Sequence, residues 1–164
     1  MFAQNKVPPW FRHINKKIML EQEHSQEYLK KRFVAALMRG GKRSTAENIF
    51  SDALALLKEQ GVKPQTVFLD ALNHSAPLLE VVGRKRGRAK VLIPRPVSSR
   101  KRLGLALKWI VSGARTRTES CMSERLAYEL LALSKGQGNA IRKKMALHQL
   151  AFKNRNNTSL RGVR

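Results

Sequence analysis

LLEVVGRKRGRAKVLIPRPV, residues 78–97, is the stretch that decides how this chain is read. Short apolar runs at 78–82 and 91–93 flank a cluster of positive charge. Arg84, Lys85, Arg86, Arg88 and Lys90 form the cluster, with Gly83 and Gly87 among them. β-Branched runs around a glycine-containing turn predict a β-hairpin. Pro94 and Pro96 confine its second strand to an edge or to the strand's end. The tip holds five cations and no carboxylate, so it is suited to reach into something negative.

Helical periodicity extends outward on both sides. Upstream, Leu29, Phe33 and Leu37 recur every four residues from about Ser25, until Gly40-Gly41 stops the pattern. Ser44 followed three residues later by Glu47 has the form of a capping box. The second helix then carries Ile49, Phe50, Ala53, Leu54 and Leu57 to Gly61. Pro64 opens a third, where its missing N–H costs nothing, and Val67, Phe68, Ala71 and Leu72 line it. Downstream, Ser98-Ser99 is placed to cap a fourth helix bearing Leu103, Ala106, Leu107 and Ile110. Thr118 or Ser120 caps a fifth, with Met122, Leu126, Leu130 and Leu133 inward. Asn139 caps a sixth, running to about Asn154.

The predicted fold class is all-α: a single domain of about six helices, with a two-stranded β-ribbon protruding between helices three and four. Residues 1–24 read as an N-terminal arm rich in Pro, Trp and Phe. The helical domain covers 25–155 with the ribbon at 78–97, and a polar tail, without order in the absence of a partner, covers 156–164. Residues 1–20 lack Asp and Glu, as a transit peptide does, but they also lack Ser, and Pro8-Pro9 interrupts any amphipathic helix. An arm is the reading adopted.

Charge is the second constraint. Lys and Arg number 33 against 11 Asp and Glu, a formal net charge of +22. Residues 1–80 carry 12 cations and 8 anions, a net +4, whereas 81–164 carry 21 and 3, a net +18. Self-repulsion on this scale opposes compaction unless a polyanion neutralises it. Lys30-Lys31-Arg32 reads as a solvated helix face paired with Glu27. The runs at 84–90, 100–102 and 142–144 lack acidic neighbours within a turn, apart from Glu80 ahead of the ribbon tip. They read as phosphate-binding surfaces.

Other chemistry finds little support. Cys121 is the single cysteine, with no nucleophile motif around it. His13, His24, His74 and His148 show no i,i+3 or i,i+4 pairing, so no metal spacing exists. No phosphate-loop motif is present. No apolar run approaches the ~20 residues of a membrane span. The reading assigns no catalytic residue, no metal, no cofactor and no membrane partner. A helix-turn-helix nucleic-acid regulator and a Cys121-dependent enzyme are the rival readings.

Four stretches carry a family resemblance. Gly41-Lys42-Arg43-Ser44-Thr45-Ala46-Glu47 is similar to a "GKKSTAE" turn. Pro77, Glu80, Val81, Arg84, Gly87, Pro94 and Val97 fall in register around the ribbon. Leu105-Ala106-Leu107-Lys108-Trp109-Ile110-Val111 is similar to "LALRWIV". Arg125-Leu126-Ala127-Tyr128-Glu129-Leu130 and Gly138-Asn139-Ala140-Ile141-Arg142-Lys143-Lys144, with His148 and Ala151, complete the set. Over about three quarters of its length the chain resembles the small-subunit ribosomal protein seven family.

The resemblance implies six helices with a β-ribbon arm and a structural role without enzymatic activity. It implies binding to the 3′ major (head) domain of small-subunit rRNA and nucleation of head assembly. It also implies a ribbon directed at the exit-site tRNA and mRNA path, with head and platform proteins as neighbours. Carried over by position, the rRNA contacts would be Lys42, Arg43, Arg84, Lys85, Arg86, Arg88, Lys90, Arg95, Arg100, Lys101, Arg102, Lys108, Arg115, Arg117, Arg142, Lys143 and Lys144. His148 matches the last-helix motif and stays open between packing and an RNA-facing role. The N-terminal segment, the Lys/Arg-rich tip and a tail without aromatic residues depart from the family pattern. Divergent ends on a bacterial-type core lead to the expectation of a mitochondrial ribosome, ahead of a bacterial or plastid one.

Overall fold

The computed structural model describes residues 26–161, so the arm expected at 1–24 lies outside the described residues. Six α-helices occur among them: α1 (Gln26–Leu37), α2 (Arg43–Glu59), α3 (Pro64–Ser75), α4 (Ser99–Arg115), α5 (Met122–Ser134) and α6 (Asn139–Lys153). Between α3 and α4 run β1 (Leu79–Arg86) and β2 (Ala89–Pro96), which pair antiparallel from Leu79 opposite Pro96 to Arg86 opposite Ala89. This is the all-α fold with a β-ribbon that the apolar periodicity predicts. Gly87 turns the ribbon at φ +59, while Arg88 keeps a negative φ. That sign pattern belongs to a type II′ turn, whose twist matches the flanking strands.

The core follows from the predicted apolar faces. Phe33 of α1, Phe50 of α2 and Phe68 of α3 meet with ring centroids 4.9, 5.3 and 5.5 Å apart. Each ring is buried, and tilted or edge-to-face pairs of this kind add to the area they remove from water. Leu57, Ile110, Leu126, Leu130 and Leu133 extend the cluster through α2, α4 and α5. Full burial of such a side chain stabilises by roughly 1.5–3 kcal/mol. No described helix is long and apolar enough to cross a membrane.

Several local expectations differ from what is found. α2 begins at Arg43 with Lys42 at the cap, so Ser44 lies inside the first turn and forms no capping box. Glu47 instead pairs with Arg43 at 2.8 Å, one turn away. Cys121 and Gly138, rather than Thr118, Ser120 or Asn139, hold the cap positions of α5 and α6. α6 buries only Ala140 and Ala151, leaving Met145, Leu150 and Phe152 exposed. Where a tail without order is expected at 156–164, the described part instead forms a 3-10 helix, Arg155–Arg161, that packs on β2. There the Asn157 amide donates to the Leu92 carbonyl at 3.0 Å, satisfying an outward-facing group of the ribbon edge.

Candidate nucleic-acid interface

Two buried carboxylates organise the basic surface. At the ribbon base, Glu80 accepts from Arg95 across the strands and from Lys101 on α4. Burial raises the Glu80 pKa, but the hydrogen bonds from Lys101 and Arg95 outweigh it and hold the carboxyl below the usual range. Glu80 therefore ties the ribbon to the start of α4. Arg95 and Lys101 are oriented by this pair rather than left free.

Glu129, 2% exposed, does the same for the last helix. It accepts from Arg117 Nη1 at 2.9 Å and from the Asn139 backbone N–H at 3.2 Å, at the first residue of α6. A carboxylate at a helix N-terminus also meets the positive end of the helix dipole. Two glycines make room for it: a Cβ at Gly113 would lie 2.5 Å from Glu129 Oε1, and one at Gly138 would lie 3.1 Å away. Arg117 also pairs with Glu119 at 3.1 Å, and these partners raise its pKa although burial lowers it. Arg117, an expected rRNA contact, is thus engaged by two carboxylates while its side chain stays partly exposed.

A third convergence joins the ribbon base to α4 and α6. His148 Nε2 accepts the Leu78 N–H at 3.2 Å, and Lys144 Nζ donates to the His74 carbonyl at 2.7 Å. Burial, then the charges of Lys144 and Arg102, push the His148 pKa down; burial and Arg102 lower that of Lys144. Lys143 donates to Ser112 Oγ at 2.7 Å, fastening α6 to α4. His148 is therefore a packing residue by its hydrogen bond and a neighbour of cations by its position.

The remaining cations are presented outward. Arg84, Lys85, Arg88 and Lys90 on the ribbon, Arg100 and Lys108 on α4, Arg142 on α6 and Lys42 before α2 are exposed. None of them forms an ion pair among the described residues. Lys85 stands directly opposite Lys90, so like charges face each other across the strands. An open cavity of about 490 Å³ adds a separate basic rim, where Arg39, Lys42, Arg115 and Arg125 surround Leu37, Ala46, Ile49 and Met122. Arg39 and Arg125 were not anticipated. Arg125 is held by the backbone carbonyls of Glu119 and Ser120, a contact that no short-range pattern signals. Arg115 donates to the Leu37 carbonyl at 3.2 Å, joining α4 to the end of α1.

These features define a class of protein: a helical body with a cationic β-ribbon, whose unpaired charge is concentrated on faces fixed by buried carboxylates. The family described as Ribosomal protein S7p/S5e matches residues 10–155, and the chain belongs to it. A Gemmatimonas aurantiaca protein, "Small ribosomal subunit protein uS7", is 41% identical over 125 residues, 76% of this chain and 80% of its own. Proteins of the same description from Amoebophilus asiaticus and Acidithiobacillus ferrooxidans are 37% and 34% identical, covering 85% and 90% of this chain and 91% and 95% of their own. All three organisms are bacteria, so the mitochondrial expectation draws no support from them.

Proposed function

We propose that the protein is a structural constituent of the small ribosomal subunit, binding the 3′ major (head) domain of its rRNA and nucleating head assembly. The supporting observation is the set of exposed, unpaired cations on the ribbon, α4 and α6 of a chain belonging to this family. Each cation placed on a phosphate releases counterions, so binding is strong in low salt and falls as salt rises. The body is held together by its own core and by the Glu80 and Glu129 pairs, so it meets the RNA pre-shaped. Helix faces then fix the junction of several rRNA helices. The ribbon extends beyond them toward the exit-site tRNA and mRNA path, beside head and platform proteins.

Footprinting on small-subunit rRNA tests this reading. Purified protein should protect nucleotides in the 3′ major domain, in a pattern lost at high salt. Replacing Arg84, Arg86 and Arg88 by Ala should leave helix content unchanged and reduce the salt slope of binding by up to about three. Protection confined to another domain, or a preferred site on duplex DNA, would refute the proposal.

A further inference from the structure

Phe152 is the most exposed large apolar side chain among the described residues, at 66%. Met145, at 54%, stands two turns before it on the same face of α6. Arg142 and Gln149, also exposed, share that face. Just beyond the helix, the Arg155 guanidinium lies over the Phe152 ring, 4.6 Å from its centroid. Arg155 opens the 3-10 helix, where the Thr158 hydroxyl donates to the Arg155 carbonyl at 2.7 Å and the Asn157 amide is fastened to Leu92 of the ribbon. One side of the ring is thus backed by a cation whose backbone is held to β2, and the rest is open to water. Apolar groups alternate with cations and an amide along this face, whereas the centre of a protein–protein interface is depleted of charge. No Asp or Glu occurs from 130 to 164, so the sequence around the ring supplies only positive charge. An apolar plane among cations suits a strand with an unpaired base, whose π-face covers the ring while its phosphates meet the charges.

We infer that the outward face of α6, centred on Phe152, is a stacking platform for one unpaired base of the bound rRNA. The inference rests on the rRNA-binding reading and deepens it from phosphate to base. The base lies on the open side of the Phe152 ring, with Arg155 behind it as the third layer of the stack. Met145, about 10 Å nearer the helix start, offers the same strand a second apolar contact through its polarizable thioether. Gln149 lies between them and carries both a donor and an acceptor for a base edge. This contact differs in kind from those of the ribbon cations. Stacking neutralises no phosphate, so it adds affinity without adding to the salt slope. It also favours unpaired over paired RNA, which charge alone does not.

Titration of small-subunit rRNA with the full chain at several salt concentrations tests the platform. Wild type is compared with Phe152→Tyr, Phe152→Leu and Phe152→Ala. At so exposed a position none of these should move the Tm by more than about 2 °C. Phe152→Tyr keeps the ring and should bind as wild type does. Phe152→Ala should bind about 5–150-fold more weakly with an unchanged salt slope. Phe152→Leu keeps apolar bulk but has no π-face, and should lie nearer to Phe152→Ala than to wild type. Arg84→Ala, by contrast, should lower the slope by about one. Chemical probing of the bound rRNA should find one unpaired base shielded by wild type and Phe152→Tyr and reactive with the other two Phe152 variants. Unchanged rRNA affinity of Phe152→Ala overturns the platform. If that variant is also lost from small subunits on sedimentation, the face docks an apolar protein neighbour instead. Phe152→Leu binding equally to wild type overturns stacking as the contact. Wild type that binds rRNA with none of these differences sinks the platform alone, whereas absence of rRNA binding sinks the broader proposal.

Discussion

Replacing Glu129 by Gln probes the device that fixes α6 against the rest of the molecule. The amide keeps the volume and can still accept from the Asn139 N–H. It loses the charge-assisted bond to Arg117, a contact of 2.9 Å at a 2%-exposed carboxylate. A hydrogen bond to a charged group contributes about 1.5–3 kcal/mol net. Arg117 is not stranded, because Glu119 remains 3.1 Å away and Arg117 is itself partly exposed, which keeps the cost below that of a fully orphaned buried charge. The expected loss is therefore about 2–3 kcal/mol, or a fall in Tm of about 5–10 °C for a chain of this size. Hydrogen exchange should locate the damage, with the amides at 139–142 exchanging faster while those around Phe33 and Phe68 keep their protection. The double variant Glu129→Gln with Arg117→Gln should lose at least 1 kcal/mol less than the sum of the singles, about what contacting residues show. A fall under ~0.5 kcal/mol, or additive singles, would refute the view that this pair anchors the last helix.

Gly113→Ala should destabilise by about 1–3 kcal/mol, because its Cβ would meet Glu129 Oε1 at 2.5 Å in a buried site that has little room to give; a melting curve unchanged from wild type would contradict this. Glu80→Gln should remove an acid-sensitive component of stability. The Glu80 carboxyl lies below its usual 4.5, so its contribution is present above that pH and is lost as pH falls through the lowered value; denaturant titrations from pH 6 to 3 should show a shallower decline in the variant. His148 acts in a higher window. Its folded pKa lies below 6.5, so protonation costs nothing above that pH and an increasing amount as pH falls beneath it, against Lys144 on its own helix and Arg102 on α4. Between pH 7 and 5.5, His148→Gln should lose less stability than wild type, and parallel profiles would show that His148 is not the titrating group.

The helices and the ribbon were legible because each is a local pattern. Leu29, Phe33 and Leu37 repeat within one helix, and Gly87 turns two apolar runs that are neighbours in sequence. Ends were less legible. Ser44 and Glu47 have the spacing of a capping box, yet Arg43 offers Glu47 a stronger partner one turn away. The charges of the candidate interface were visible as residue types, but their division into engaged and outward-facing cations was not. Glu80 selects Arg95 and Lys101 over the nearby Arg100, and Glu129 selects Arg117, through contacts that exist only once strands and helices are assembled. Arg102 illustrates the same limit. It lies in a run of three cations, Arg100-Lys101-Arg102, and only the helical turn decides that it points inward.

The Lys85–Lys90 pair has a consequence for the protein before it reaches its partner. A two-stranded ribbon has two open edges, which invite another copy to add a strand. Near its base, α6 and the 3-10 helix lie against β1 and β2. Farther out, the facing lysines, with Arg84 and Arg88 beside them, make the approach of an identical ribbon repulsive. A freshly synthesised molecule is thereby discouraged from forming filaments with its siblings while it waits to assemble, and that protection fades only where a polyanion has covered the charges.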